Sequence, residues 1–197
     1  MPREVEVKSV VDDVDRTRRR IEAAGARLTF EGRLEDRRYD TADRRLAADD
    51  QVLRLRTFAD DVAVHAALEW KGPTRHEHGY KVRDEVSVEV AEPAPMAAIL
   101  ERLGYTVVGE IDRRVAQYAF DRAVIRFERY PRMDALVEVE GPPDAIERAI
   151  DALGLDRQGF SADRLPAFMA RFEQRTGTPA AVNQQQLVDT VKRVPDD

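Results

Sequence analysis

The sequence contains no cysteine, so disulfides and thiolate metal sites are excluded. Lysine is scarce, four residues against 28 arginines, and tryptophan occurs once. No run approaches the roughly 18 apolar residues that a membrane-spanning helix needs, so no membrane partner is expected. Met1-Pro2-Arg3-Glu4 leads straight into alternating charges rather than an apolar signal core, which predicts a cytoplasmic location. The formal net charge of -6 argues against a broad basic surface for nucleic acid. Neither a glycine-rich phosphate loop of the Walker type nor a nucleophile triad can be traced.

Charge, by contrast, is abundant. Charged residues make up 36% of the chain, where about 25% is ordinary. The 43% hydrophobic share still supports a folded core. So many charges need a place beyond the outer surface. The preference for arginine matters chemically, because its planar guanidinium grips phosphate with two prongs.

Residues 3–10 alternate, with Glu4, Glu6 and Lys8 facing one way and Val5, Val7 and Ser9 the other, a strand pattern. Further strands are predicted at 27–40, 51–58, 62–71, 80–90, 105–120, 123–130 and 134–140. Helices are predicted at 12–25, 94–103, 143–153 and 161–175, bounded by proline and glycine. His76-Glu77-His78 falls in an expected loop, where a zinc pair is disfavoured. A faint echo links two stretches. The first helix leads through Gly25 to Glu31 and Asp36-Arg37-Arg38; the second leads through Gly104 to Glu110 and Asp112-Arg113-Arg114. This hints at two related halves. Residues 1–176 form the expected domain, and 177–197 a polar tail.

Several strands carry charges on one face: Glu4/Glu6/Lys8, Arg54/Arg56, Glu69/Lys71, Lys81/Arg83/Glu85, Arg126/Glu128 and Glu138/Glu140. The opposite faces offer apolar contacts, among them Val7, Val52, Leu53, Leu55, Trp70, Val86, Val88, Ile125, Phe127 and Val139. Taken strand by strand, this describes a half-buried sheet whose polar face meets water. Taken together, the sets alternate acid and base as if to pair across a shared space. About eight strands can close into a barrel that holds one ligand. With the charges inside, the apolar faces would pack outward against the helices. A lumen of buried charge is costly unless paired or bound, so it would serve a polyanion with its cations. Carboxylates suit Mg²⁺ or Mn²⁺, and arginine and lysine suit phosphate oxygens.

Glu4-Val5-Glu6-Val7-Lys8 resembles the Glu-x-Glu-x-Lys signature of the CYTH superfamily, the triphosphate tunnel metalloenzymes. Further segments match in order: Asp36 before Tyr39-Asp40-Thr41, Leu53-Arg54-Leu55-Arg56, Leu68-Glu69-Trp70-Lys71-Gly72-Pro73, Arg83-Asp84-Glu85, Ile125 to Glu128, and Val137 to Gly141. The resemblance spans about residues 2–175. It implies an α+β fold, an eight-stranded antiparallel β-barrel forming a tunnel, flanked by about four helices. It implies metal binding by Glu4, Glu6, Glu138 and Glu140. It implies phosphate binding by Lys8, Arg54, Arg56, Lys71, Lys81, Arg83 and Arg113, with Glu85, Glu128 and Lys8 as catalytic partners. The sequence departs from the family pattern at Ser87, Glu69, Glu128 and Val115.

The expected cofactor is Mg²⁺ or Mn²⁺, and the expected partner a small triphosphate: ATP, thiamine triphosphate or tripolyphosphate. Attack by water would make the protein a triphosphatase. Attack by the ribose 3′ oxygen of ATP would make it an adenylate cyclase of class IV type. A non-catalytic nucleotide- or polyphosphate-binding module is the third possibility. Hydrolysis leads, since it needs no adenine pocket and none is identifiable. The chain is expected to be a monomer or homodimer. Both Glu4 and Glu6 are expected to be dispensable for folding, because their mutual repulsion would be relieved on removal.

Overall fold

The computed structural model describes residues 3–191. Its strands are β1 Arg3–Val10, β2 Arg27–Thr41, β3 Val52–Ala59, β4 Val64–Lys71, β5 Arg75–Glu77, β6 Tyr80–Val90, β7 Tyr105–Phe120, β8 Ala123–Arg129 and β9 Leu136–Glu140. The sheet order is β1-β9-β8-β7-β2-β3-β4-β6, and β1 also pairs with β6. All these pairings are antiparallel. The eight strands thus form a closed barrel. All eight predicted strands are present. β5, with His76 and Glu77, is a ninth that pairs with β6 beside the barrel, where a loop was expected.

The closed ring has an internal symmetry of topology. The run β1–β2–β3–β4 repeats as β6–β7–β8–β9. Exchanging the two sets leaves the ring order unchanged, and β2 lies against β7 along nearly its whole length. Helix α1 (Val14–Ala23) enters β2 just as helix α3 (Pro93–Arg102) enters β7. The faint sequence echo therefore corresponds to two halves of like connectivity.

The apolar strand faces point outward, where the helices cover much of them. Asp13 caps α1, its side chain accepting from the Arg16 backbone N–H at 2.8 Å. The helix buries Val14 and Ile21 and stops before Gly25, whose φ of +95° suits glycine. Helix α4 (Pro143–Leu153) buries Ile146, Ala149, Ile150 and Leu153, a stripe at helical spacing. These side chains share one cluster with Val7, Val82, Ile125, Phe127, Val137 and Val139. On the other side, Met96, Ala97 and Leu100 of α3 meet Tyr39, Leu53, Leu55 and Leu68.

Two apolar expectations change. Val52 shares the inward face of β3 with Arg54 and Arg56 and lines the lumen. Val86 and Val88 point outward but no helix covers them; they are 47% and 57% exposed.

Helices α2 (Arg45–Ala48) and α6 (Gln184–Val191) join the four expected, of which the last is α5 (Leu165–Thr176). α5 starts later than position 161, because Ser161 is held to β1 by two backbone bonds with Lys8, at 2.8 and 2.9 Å. Part of the expected tail packs against the barrel. Ala181 and Val182 are buried. The Asp112 N–H donates to the Val182 carbonyl at 2.7 Å, and Ala181 exchanges two backbone bonds with Arg132. β8 pairs with β7 only from Arg114 onward, so this strap fills the edge that β8 leaves open. Residues 192–197 of that tail lie outside the described residues.

Candidate functional site

Strand alternation sends Glu4, Glu6 and Lys8 of β1 into the barrel, together with charged residues from the other seven walls. They surround a cavity of about 170 Å³. Of the sequence-predicted residues, Glu4, Glu6, Lys8, Arg54, Arg56, Lys71, Lys81, Arg83, Arg113, Glu128 and Glu138 line it. Glu85 and Glu140 do not line that space; they meet Glu4, and the three carboxylates offer oxygens within 4.8 Å of one another. Sequence reasoning missed Arg38, Tyr130 and Arg164, which also line the cavity. It gave Asp36 and Arg126 no role.

The charges fall into three groups. The first centres on Asp36, 1% exposed. Its carboxylate accepts from Arg56 at 2.7 and 3.0 Å and pairs with Arg113 at 3.0 Å, with Arg54 at 3.6 Å. Burial pushes this carboxyl up, but Arg56, Arg113 and Arg54 outweigh it and hold it well below the usual range. Arg113 also donates to Glu128 at 2.8 Å, and the other Glu128 oxygen accepts from the Tyr130 hydroxyl at 2.7 Å. Arg54 in turn donates to Glu69 of β4.

The second group holds the lysines. Glu6 pairs with Lys81 at 2.6 Å and Lys8 at 3.6 Å, while Glu138 holds Lys8 and Arg126. Burial and Glu138 push Glu6 up, yet the lysines prevail and bring it to about 2.

The third group is short of cations. Lys71 pairs with Glu4, and with Glu85 at 3.4 Å. The second Glu4 oxygen is buried without a partner. Burial, and then Glu6, raise Glu4 despite Lys71. Glu140 has no hydrogen bond or ion pair among the described residues; burial, then Glu4, raise it to about 7. Three crowded carboxylates, two with raised affinity for protons, suit a hard divalent cation, which carboxylate oxygens favour.

A pH dependence follows. The folded pKa of Glu140, about 7, exceeds its ordinary 4.5. Folding therefore takes up a proton between those values, and this contribution to stability is lost as pH rises from 4.5 through 7. Without divalent cations the melting temperature should fall between pH 5.5 and pH 8. Glu140→Gln should flatten that fall, as melting curves in chelator across this range would show. An equal fall in the variant would refute the assignment.

Arg83 differs from the other cations. It donates to the backbone carbonyls of Gly72 at 2.6 Å and Asp50 at 2.7 Å. It pins the β4 end to β6 while still facing the cavity. Arg164, just before α5, is held by Asp50 at 2.6 Å and Thr74 at 2.8 Å. It brings Leu165 and Pro166 to the cavity rim.

Solved structures share this architecture. A putative adenylate cyclase from Vibrio parahaemolyticus superposes with a TM-score of 0.72 at 18% identity, covering 85% of this chain and 97% of that one. A protein from Pyrococcus horikoshii gives 0.70 at 21% identity, covering 85% and 98%. A putative adenylyl cyclase from Hippeastrum, described as revealing a dominant triphosphatase activity, gives 0.59 at 16% identity, covering 89% and 96%. No curated protein matches the chain. At such identities these likenesses speak to fold. The CYTH domain family matches residues 2–140, from the first strand of the barrel to the end of the last, so with its closed tunnel of paired charges the chain belongs to the CYTH domain family.

Proposed function

We propose that this chain hydrolyses a linear triphosphate inside the barrel with the help of Mg²⁺ or Mn²⁺. The observation that carries this reading is the division of the lumen. Cations from β1, β2, β3, β4, β6, β7 and β8 face the cavity, while Glu4 on its wall gathers with Glu85 and Glu140 as a cation-poor cluster. Glu4, Glu85 and Glu140 would hold the metal, with Glu6 and Glu138 next to them on β1 and β9. The bound ion would supply Lewis-acid charge to the phosphoryl oxygens.

The protein's own groups do the rest. Lys8, Lys71 and Lys81 exchange their carboxylate partners for phosphate oxygens. Arg54, Arg56 and Arg113, fixed by Asp36, present a rigid wall of donors where negative charge develops. Donors already oriented before the reaction cost no reorganisation, the main source of such stabilisation. Both oxygens of Glu128 are engaged by Arg113 and Tyr130, so Glu128 serves to orient Arg113. Glu85, about one-fifth exposed and held by Lys71 at 3.4 Å, is left to the metal cluster with Glu4 and Glu140.

The cyclase reading draws on a separate observation. Val52, Ile111, Leu165 and Pro166 give the cavity some apolar surface, where an organic end could rest. Against it, the only aromatic among the described lining residues is Tyr130, whose hydroxyl is committed to Glu128. Phosphorus NMR separates the outcomes: orthophosphate from tripolyphosphate, thiamine triphosphate or ATP supports hydrolysis, whereas pyrophosphate with cyclic AMP supports cyclisation. Tripolyphosphate with Mg²⁺ should also stabilise the fold, by about 2.7 kcal/mol at 100 times its dissociation constant. No thermal shift with any triphosphate would defeat the tunnel reading.

A further inference from the structure

Among the described guanidinium groups that line the cavity, Arg54, Arg56, Arg113 and Arg126 each have a carboxylate partner, Arg164 pairs with Asp50, and Arg83 has carbonyls. Arg38 has neither. Its Nε is buried without an acceptor, and among the described residues no hydrogen bond or ion pair satisfies the rest of the group. Register explains its position. Arg38 lies two residues beyond Asp36 on the inward face of β2, directly across from Arg54 on β3 and Gly109 on β7. Arg37, its neighbour, points outward to Glu110.

The surroundings sharpen the anomaly. Burial works against the Arg38 charge, and so do Arg54, Arg113 and Arg56, while Asp36 favours it. Asp36 is already shared by those three arginines. At Gly109 even an added Cβ would meet nothing within 4 Å, so the space beside Arg38 is open. A half-buried cation whose Nε is shut off from water without an acceptor is costly in the empty protein. It is relieved when an oxyanion enters, and a guanidinium prefers one that it can grip with two nitrogens.

We infer that Arg38 is an additional phosphate-binding residue, contacting a phosphoryl group of the tunnel's ligand beside Arg54. The inference rests on the reading of the lumen as a polyphosphate site. It adds a contact that the ordered motifs do not reveal.

The test is direct binding of tripolyphosphate to the full chain by titration calorimetry, for wild type, R38A and R38K, beside ligand-free melting curves. R38A should melt at or above the wild-type temperature, because repulsion from Arg54 and Arg113 is relieved. It should bind tripolyphosphate about tenfold to a hundredfold more weakly, the range for loss of a charge-assisted hydrogen bond. R38K, which keeps the charge but not the fork, should still bind several-fold more weakly than wild type. R38A within twofold of a wild type that binds, or R38K equal to it, would overturn the assignment. Failure of the wild type to bind would instead sink the tunnel reading itself.

Discussion

Asp36→Asn is expected to destabilise the protein by about 3–5 kcal/mol, the range for breaking a buried ion pair from one side. For a chain of this size that lowers the melting temperature on the order of 10 °C. The reason is arithmetic of charge. One carboxylate, 1% exposed, compensates Arg56 and Arg113 and helps with Arg54. Asparagine keeps the shape but leaves three guanidinium groups facing one another with only Glu69 and Glu128 nearby. The pH behaviour should agree. A carboxyl held well below 3.8 lends stability that is complete above that value and is lost as pH falls through the depressed one. Tripolyphosphate should recover part of the loss in the variant, since an entering anion does what Asp36 did. Urea unfolding with an unchanged slope and a lowered midpoint would record the effect. A variant within about 1 kcal/mol of wild type would show that the cluster is not organised by Asp36.

Glu4→Gln and Glu6→Gln should each lower turnover on the order of 10²-fold or more, the size of effect seen when a key electrostatic group is lost. Their stabilities should part. Glu4 has one oxygen on Lys71 and one buried without a partner, and lies against Glu85 and Glu140. Removing its charge relieves a crowd, so the metal-free fold should hold or gain. Glu6 is 3% exposed and compensates Lys8 and Lys81. Its loss strands Lys81 and leaves Lys8 to Glu138 alone, and should cost about 3 kcal/mol. From sequence both changes were expected to spare the fold; the pairing of Glu6 with Lys81 now sets the two apart. Steady-state kinetics on tripolyphosphate across Mg²⁺ and Mn²⁺ concentrations, beside melting curves, checks both halves. Wild-type turnover in either variant would defeat its functional role. Unfolding of Glu4→Gln would make it a structural residue.

The barrel was legible because its pattern is strict. In β1, β3, β4, β6, β8 and β9 charged residues recur at every second position through the middle of the strand and the residues between them are mostly apolar, so period and facing are read together. Closure followed from the need to house that charge. What escaped had physical reasons. α2 has four residues, too few for any periodicity. The strap at 181–183 is short and followed by glutamines, and its partner is an edge created by the early end of β8. Arg38 is hidden in Arg37-Arg38, where chemistry is identical and only strand register tells inside from outside. Val52 follows the same rule in reverse, an apolar residue on a charged face. The cavity's ion pairs, such as Arg113 with both Asp36 and Glu128, join β7 to β2 and β8, and a linear reading can assign the sign of each group but not its partner.

β1 carries Glu4, Glu6 and Lys8 and is held on one side by β6 and on the other by β9, so that Glu6 sits between Lys81 and Glu140. The first strand of the chain can therefore be seated on both sides only once the last has formed. A partly assembled barrel has an open seam where those three residues belong, and a polyanion finds little there to hold it. Substrate should accordingly leave the rate of folding almost unchanged and act on the reverse process, slowing the parting of that seam. Protection by ligand would then show as a longer lifetime of the native state rather than as quicker recovery after denaturation.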